Sequence, residues 1–119
     1  MNPNFLTMED KMYNLEQIDA MSGGNAEFVD KMVNLFIELT PELLNRIKAG
    51  LIDNNYNEIK SAAHKMKPSI DMMGINSLKA EIRTIEKMAL ERADEVSMKN
   101  AINYLETTLD QVLYQLGRR

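Results

Sequence analysis

Apolar side chains return every three or four residues along most of this 119-residue chain, and they nowhere alternate as a half-buried strand requires. That period gathers them on one side of a helix. Abundant Leu, Met, Glu, Lys and Ala, with only five glycines and three prolines, favour the same conformation. A short apolar turn comes first, with Tyr13, Leu15, Ile18 and Met21, and stops at Ser22-Gly23-Gly24, where Asn25 is placed to cap the next helix. From Ala26 to Ile52, Phe28, Met32, Leu35, Phe36, Leu39 and Leu43 mark one buried stripe, which Leu44, Ile47 and Leu51 continue slightly rotated. Pro41 falls within this segment; Thr40-Pro41-Glu42 offers neither glycine nor polar loop, so one kinked helix is expected rather than two.

Asp53-Asn54-Asn55 supplies a turn and a cap. The following helix is expected from Tyr56 to Met73, with Gly74 in the left-handed position that closes it. Asn76 or Ser77 is the expected cap of a further helix carrying Leu78, Ile82, Ile85, Met88 and Ala89. The pattern breaks around Arg92 to Glu95, and a last helix with Ile102, Leu105, Leu109, Val112, Leu113 and Leu116 ends at Gly117. Connections this short bring consecutive helices side by side. The expected fold is all-α, an antiparallel up-down four-helix bundle with a short additional N-terminal helix. It occupies residues 13–117, behind a loose arm over 1–12.

Composition removes several functions. Without cysteine there is no disulfide or thiolate metal site, and one histidine cannot form a His-His ligand pair. A formal net charge of −4 opposes nucleic-acid binding. No apolar run approaches the roughly 20 residues that span a bilayer, and Met1–Asp10 lacks a secretory pattern. A cytoplasmic protein without a membrane partner is expected, monomeric because one bundle can bury every stripe. The initial methionine and short arms favour a free protein over a piece of a larger one.

At about 100° per residue, the helix from Tyr56 divides sharply. Ile59, Ala62, Ala63, Met66, Ile70 and Met73 share one face, and His64 lies nearly opposite its centre. Lys60, Lys67 and Asp71 fall on the histidine's side, and Pro68 sits one turn on. Taken alone, an exposed histidine is as often a plain surface residue as a working one. Its setting of ammonium groups and small side chains suits phosphoryl transfer. Imidazole as a class offers a neutral attacking nitrogen near neutral pH, and a lysine one turn away can pair with phosphoryl oxygens. Lys67 is placed for that; Lys60 is either a helper or an ordinary solubilising charge. Pro68 removes the amide that would bond the His64 carbonyl, which kinks the helix, opens room for a partner, or both. Met32, Met66, Met73 and Met88 read as core fillers, whereas Met72 lies off that face, within reach of a docking patch. Glu86 is assigned no catalytic part.

The run A-H-K-M-K-P-S-I-D-M-M-G, Ala63 to Gly74, resembles the signature of histidine-containing phosphotransfer (HPt) domains, with His64, Lys67 and Gly74 at the matching positions. Leu78 and Ile85-Glu86 downstream are similar to the family pattern. So are Gly23-Gly24-Asn25, Phe28, Phe36 and Pro41 upstream, so the likeness runs from about Leu15 to Ala89. Pro68 stands where the family usually has glycine. The resemblance implies a phosphocarrier, without kinase activity or bound nucleotide, that takes a phosphoryl group on His64 from a receiver-domain aspartyl phosphate and passes it to another receiver. Its partners would be response-regulator receiver domains and a hybrid histidine kinase. It would hold no cofactor or metal, with magnesium supplied by the receiver. Lys67 would support the phosphoryl group, and Lys60, Pro68, Asp71 and Met72 would border the docking surface. Absence of a G-x-x-x-x-G-K-[ST] motif agrees with the lack of a nucleotide site. The competing reading is a non-catalytic helical interaction module; an independent enzyme is a weaker third.

Overall fold

A computed structural model describes residues 10–119, which form five helices and, among the described residues, no strand. They are α1 (Glu16–Ser22), α2 (Ala26–Ile52), α3 (Tyr56–Met72), α4 (Asn76–Leu90) and α5 (Glu95–Gly117). Three boundaries are set by side chains that accept the otherwise unpaired first-turn amides. Asn25 accepts from Glu27 and Phe28 N–H at 3.0 and 3.2 Å, Asn55 from Glu58 at 3.1 Å, and Asp94 from Ser97 at 2.9 Å. Neither Asn76 nor Ser77 caps α4: the residue before that helix is Ile75, which makes no side-chain cap. Ile75 is fully buried, so core packing fixes the turn that a polar cap was expected to fix. Gly74 has the expected left-handed backbone, φ +61°, and a Cβ there would meet the Asn14 carbonyl oxygen at 2.5 Å. Both the dihedral and the close approach demand glycine.

Both long segments run unbroken through a proline, Pro41 in α2 and Pro68 in α3. Each of the four long helices packs on two others: α3 on α2 and α4, and α5 on α2 and α4, while α1 lies on α2. The closed cycle encloses one core that includes Ile47, Ile59, Met66, Ile82, Met98 and Leu109, all fully buried. Burying each such side chain contributes about 1.5–3 kcal/mol relative to leaving it in water.

The stripe expected on α2 is corrected. Its buried face is Val29, Val33, Phe36, Thr40, Leu44, Ile47 and Gly50, whereas Leu35 and Leu39 are 38% and 47% exposed. Apolar residues occupy an arc of this helix wider than its neighbours can cover. The core takes one edge of the arc, and the other edge stays open toward α1 and α3. Of the arm expected over 1–12, residues 1–9 lie outside the described residues. Asp10 and Met12 are held to α5 through Gln115, which accepts from Met12 N–H and donates to the Asp10 carbonyl, both at 2.9 Å.

Candidate functional site

Helix α3 holds the histidine by its opposite side. Ile59, Ala62, Ala63, Met66 and Ile70 are completely buried, which fixes the rotation of the helix and turns His64 outward with its side chain 66% exposed. Between the buried residues and the ring there is only the backbone, so the imidazole sits on a rigid platform.

A carboxylate from the next helix completes the arrangement. Glu86 Oε2 lies 2.8 Å from His64 Nδ1, and its Oε1 lies 2.7 Å from Lys67 Nζ. A carboxylate only accepts, so Nδ1 carries the hydrogen and the lone pair of neutral imidazole is left on Nε2, the outward nitrogen. Lys67, first, and His64 after it hold the Glu86 carboxyl below the usual carboxylate range, against an opposing push from partial burial. From the sequence, Glu86 is a residue that could salt-bridge or support the bundle, with no catalytic part. The ion pair to Lys67 agrees, and the contact with His64 is what sequence reasoning missed. That contact depends on how α3 and α4 pack, across 22 positions of chain; the Ile85-Glu86 pair was the only local signal.

One turn along, Arg83 grips Asp71 with two hydrogen bonds of 3.1 and 2.6 Å and donates to the Lys79 carbonyl at 2.9 Å. The guanidinium hydrogen bonds hold the Asp71 carboxyl below its ordinary range. This fork ties α3 to α4 one turn from Glu86. Asp71 thus lies on the histidine's side but is engaged within the chain.

The remaining residues divide between two depressions flanking His64. Lys60 lines a cleft of about 610 Å³ between α3 and α4, together with His64 and Glu86. Met72 lines an apolar groove of about 240 Å³ with Leu35, Leu39 and Phe36. Pro68, one turn after His64 in α3, is exposed, and its nitrogen can donate nothing to the His64 carbonyl. Among the described residues, no group of three His, Cys, Asp or Glu side chains is placed to hold a metal ion, and no helix is long and apolar enough to cross a membrane.

The site is thus an exposed imidazole on a buried helical platform, joined through the Glu86 carboxylate to the Lys67 ammonium group. The family model of the Hpt domain matches residues 31–115, and the chain belongs to that family. Hpt domains are phosphocarriers of two-component phosphorelays rather than kinases. Searches of curated proteins and of solved structures gave no significant match.

Proposed function

We propose that this protein is a phosphorelay intermediate whose His64 takes a phosphoryl group from the aspartyl phosphate of one receiver domain and returns it to the aspartate of another. The observation that carries the reading is the Glu86 bridge, which holds Nδ1 and leaves Nε2 as the nucleophile. The Nε2 lone pair attacks phosphorus, the bond from phosphorus to the aspartyl oxygen breaks, and that oxygen leaves as carboxylate. The ring then bears positive charge, with hydrogen still on Nδ1, and the Glu86 carboxylate stabilises it at hydrogen-bond distance. Lys67 has three N–H donors, of which Glu86 engages one, so it can turn others to the phosphoryl oxygens. The reverse sequence reloads a receiver. Magnesium and the receiving carboxylate belong to the partner.

The receiver docks on the open edge of α2 and on Met72, where Leu35 and Leu39 remain exposed beside the histidine-bearing face. The four long helices, joined through 53–55, 73–75 and 91–94, run antiparallel in up-down order behind it. The same groove also suits the second reading, a module that binds a partner without transferring anything.

Incubation with a phosphorylated receiver domain separates the two. Phosphotransfer predicts an acid-labile, alkali-stable label on the wild-type chain and none on His64→Gln. Equal labelling of that variant would exclude His64; binding without any label on the wild type would favour the interaction module.

A further inference from the structure

The surface around His64 changes charge in a fixed order. On one side lies the cleft between α3 and α4, which four cations, Lys60, Lys65, Arg83 and Lys87, line with a single carboxylate, Glu86. This concentration of positive charge stands in a chain whose formal net charge is −4. Arg83 is occupied by Asp71 and Lys67 by Glu86, but among the described residues Lys60, Lys65 and Lys87 enter no salt bridge. Lys65 also borders the apolar groove, which continues to Leu35. Beyond Leu35 the outer face of α2 turns acidic, with Glu27, Asp30 and Glu38 around one lysine, Lys31. Arg119 engages Asp30 at 3.0 Å, which leaves Glu27 and Glu38 as the carboxylates without a salt bridge among the described residues. The sequence across the surface is therefore cationic cleft, apolar groove, acidic edge, with the nucleophile on the rim of the cleft.

We propose that this ordered surface is an electrostatic docking code for receiver domains. The carboxylate-bearing rim of the receiver's phosphorylation site sits over Lys60 and Lys87, its apolar strip enters the groove, and a basic flank meets the α2 edge. The proposal rests on the phosphotransfer reading and adds to it the partner's charge layout and orientation. Its physical basis is simple. Whatever carries the phosphoryl group to His64 presents an anion, and after donation presents a carboxylate, so free ammonium groups beside the ring favour both forms. An apolar groove alone fixes no direction along its length. Opposite charges at its two sides do, because the reversed pose sets like charges against each other. Cations that face solvent act chiefly on encounter and on partner choice, and their effect is screened by salt.

The test uses the full chain and a receiver domain that labels His64, with binding measured separately from transfer. Binding of that receiver, unphosphorylated, is followed calorimetrically on His64→Gln, which retains the docking surface. Adding Lys60→Glu and Lys87→Glu together is expected to weaken association about tenfold or more at low ionic strength, and to remove most of its salt dependence. Glu27→Lys with Glu38→Lys is expected to weaken the same receiver as well. Restoration of binding to the Lys60→Glu, Lys87→Glu protein by a receiver with lysines on its phosphorylation rim would fix the orientation. Unchanged affinity and unchanged salt dependence in the cleft variant, with circular dichroism showing it folded, would overturn the proposal. So would competition for the cleft by inorganic phosphate alone, with the receiver indifferent to the reversals; the cleft would then be an anion seat and no docking element. Failure of the phosphotransfer reading is recognised separately, by wild-type protein that binds the receiver and takes no label.

Discussion

The two faces of α3 are separated by a single peptide bond, between Ala63 and His64, yet they obey different rules. On the inner face, Ile59, Ala62, Ala63, Met66 and Ile70 are wholly excluded from water. Their contribution scales with the area removed and with the closeness of packing. On the outer face, His64, Lys65 and Pro68 are exposed and Lys67 is half-buried. Ion pairs there add little stability because solvent screens them. What they supply is direction: a nitrogen held at a set angle, a carboxylate behind it, a cation beside it. The inner face makes this possible without taking part: five wholly buried side chains fix the rotation of the helix together, and truncating one leaves the others to hold it. Stability and chemistry should therefore respond independently to mutation.

The largest expected effect is on chemistry alone. His64→Gln should abolish labelling while leaving stability in urea within about 0.5 kcal/mol, as for most surface substitutions; a matching loss of stability would break the separation of the faces. Next comes the converse, Ile59→Ala or Ile70→Ala. Either should cost about 2–5 kcal/mol of unfolding free energy, while the transfer rate per folded molecule, read in single-turnover assays, stays near wild type. Lys67→Ala should slow single-turnover transfer about 10- to 100-fold, at or below the usual loss for a donor aimed at developing charge because this site is open to water. Glu86→Ala should slow it about three- to tenfold, the scale of one hydrogen bond of about 0.5–1.5 kcal/mol, since solvent screens the added charge at this half-open site. In ¹⁵N spectra of the imidazole, that variant should lose its preference for hydrogen on Nδ1.

The smallest effect is that of acid. Glu86, Asp71, Glu58 and Asp94 are all held below their ordinary range, respectively foremost by Lys67, Arg83, Arg46 and the Ser97 N–H. A lowered folded-state value gives stability that is complete above the unfolded carboxylate range of about pH 4 and fades as pH falls through the lowered values. The melting temperature should therefore lose this contribution only below about pH 4. Because the outer-face and surface pairs are exposed, the drop should be shallow; a steep one would show that the outer face carries more stability than its exposure implies.

On α3 the periodicity was nearly sufficient, because its polar and apolar residues segregate with little overlap, Met72 aside. The inner face, the outward histidine and the left-handed Gly74 all follow from it. On α2 the same reasoning placed Leu35 and Leu39 inside. That helix has apolar residues around too much of its circumference, with Val29, Val33 and Phe36 on one edge and Leu35 and Leu39 on the other. Hydrophobicity cannot rank two edges of equal apolarity; only the positions of α3 and α5 do. The start of α4 shows a related limit, since burial of Ile75 decided a boundary that cap chemistry placed at Asn76 or Ser77.

By itself, the sequence determined the helices, the turns at Gly23-Gly24, Asn54-Asn55 and Gly74, and the isolation of one histidine opposite a buried stripe. These depend on spacing within a segment, and backbone geometry converts spacing into direction with no knowledge of the rest of the chain. Tertiary structure alone decided that Glu86 faces His64 at 2.8 Å, that Asp71 is occupied by Arg83, and that the spare apolar edge of α2 lies open beside Lys65 and Met72 of α3. Those relations join helices whose mutual rotation and register are set by packing over the whole core. No local pattern contains them.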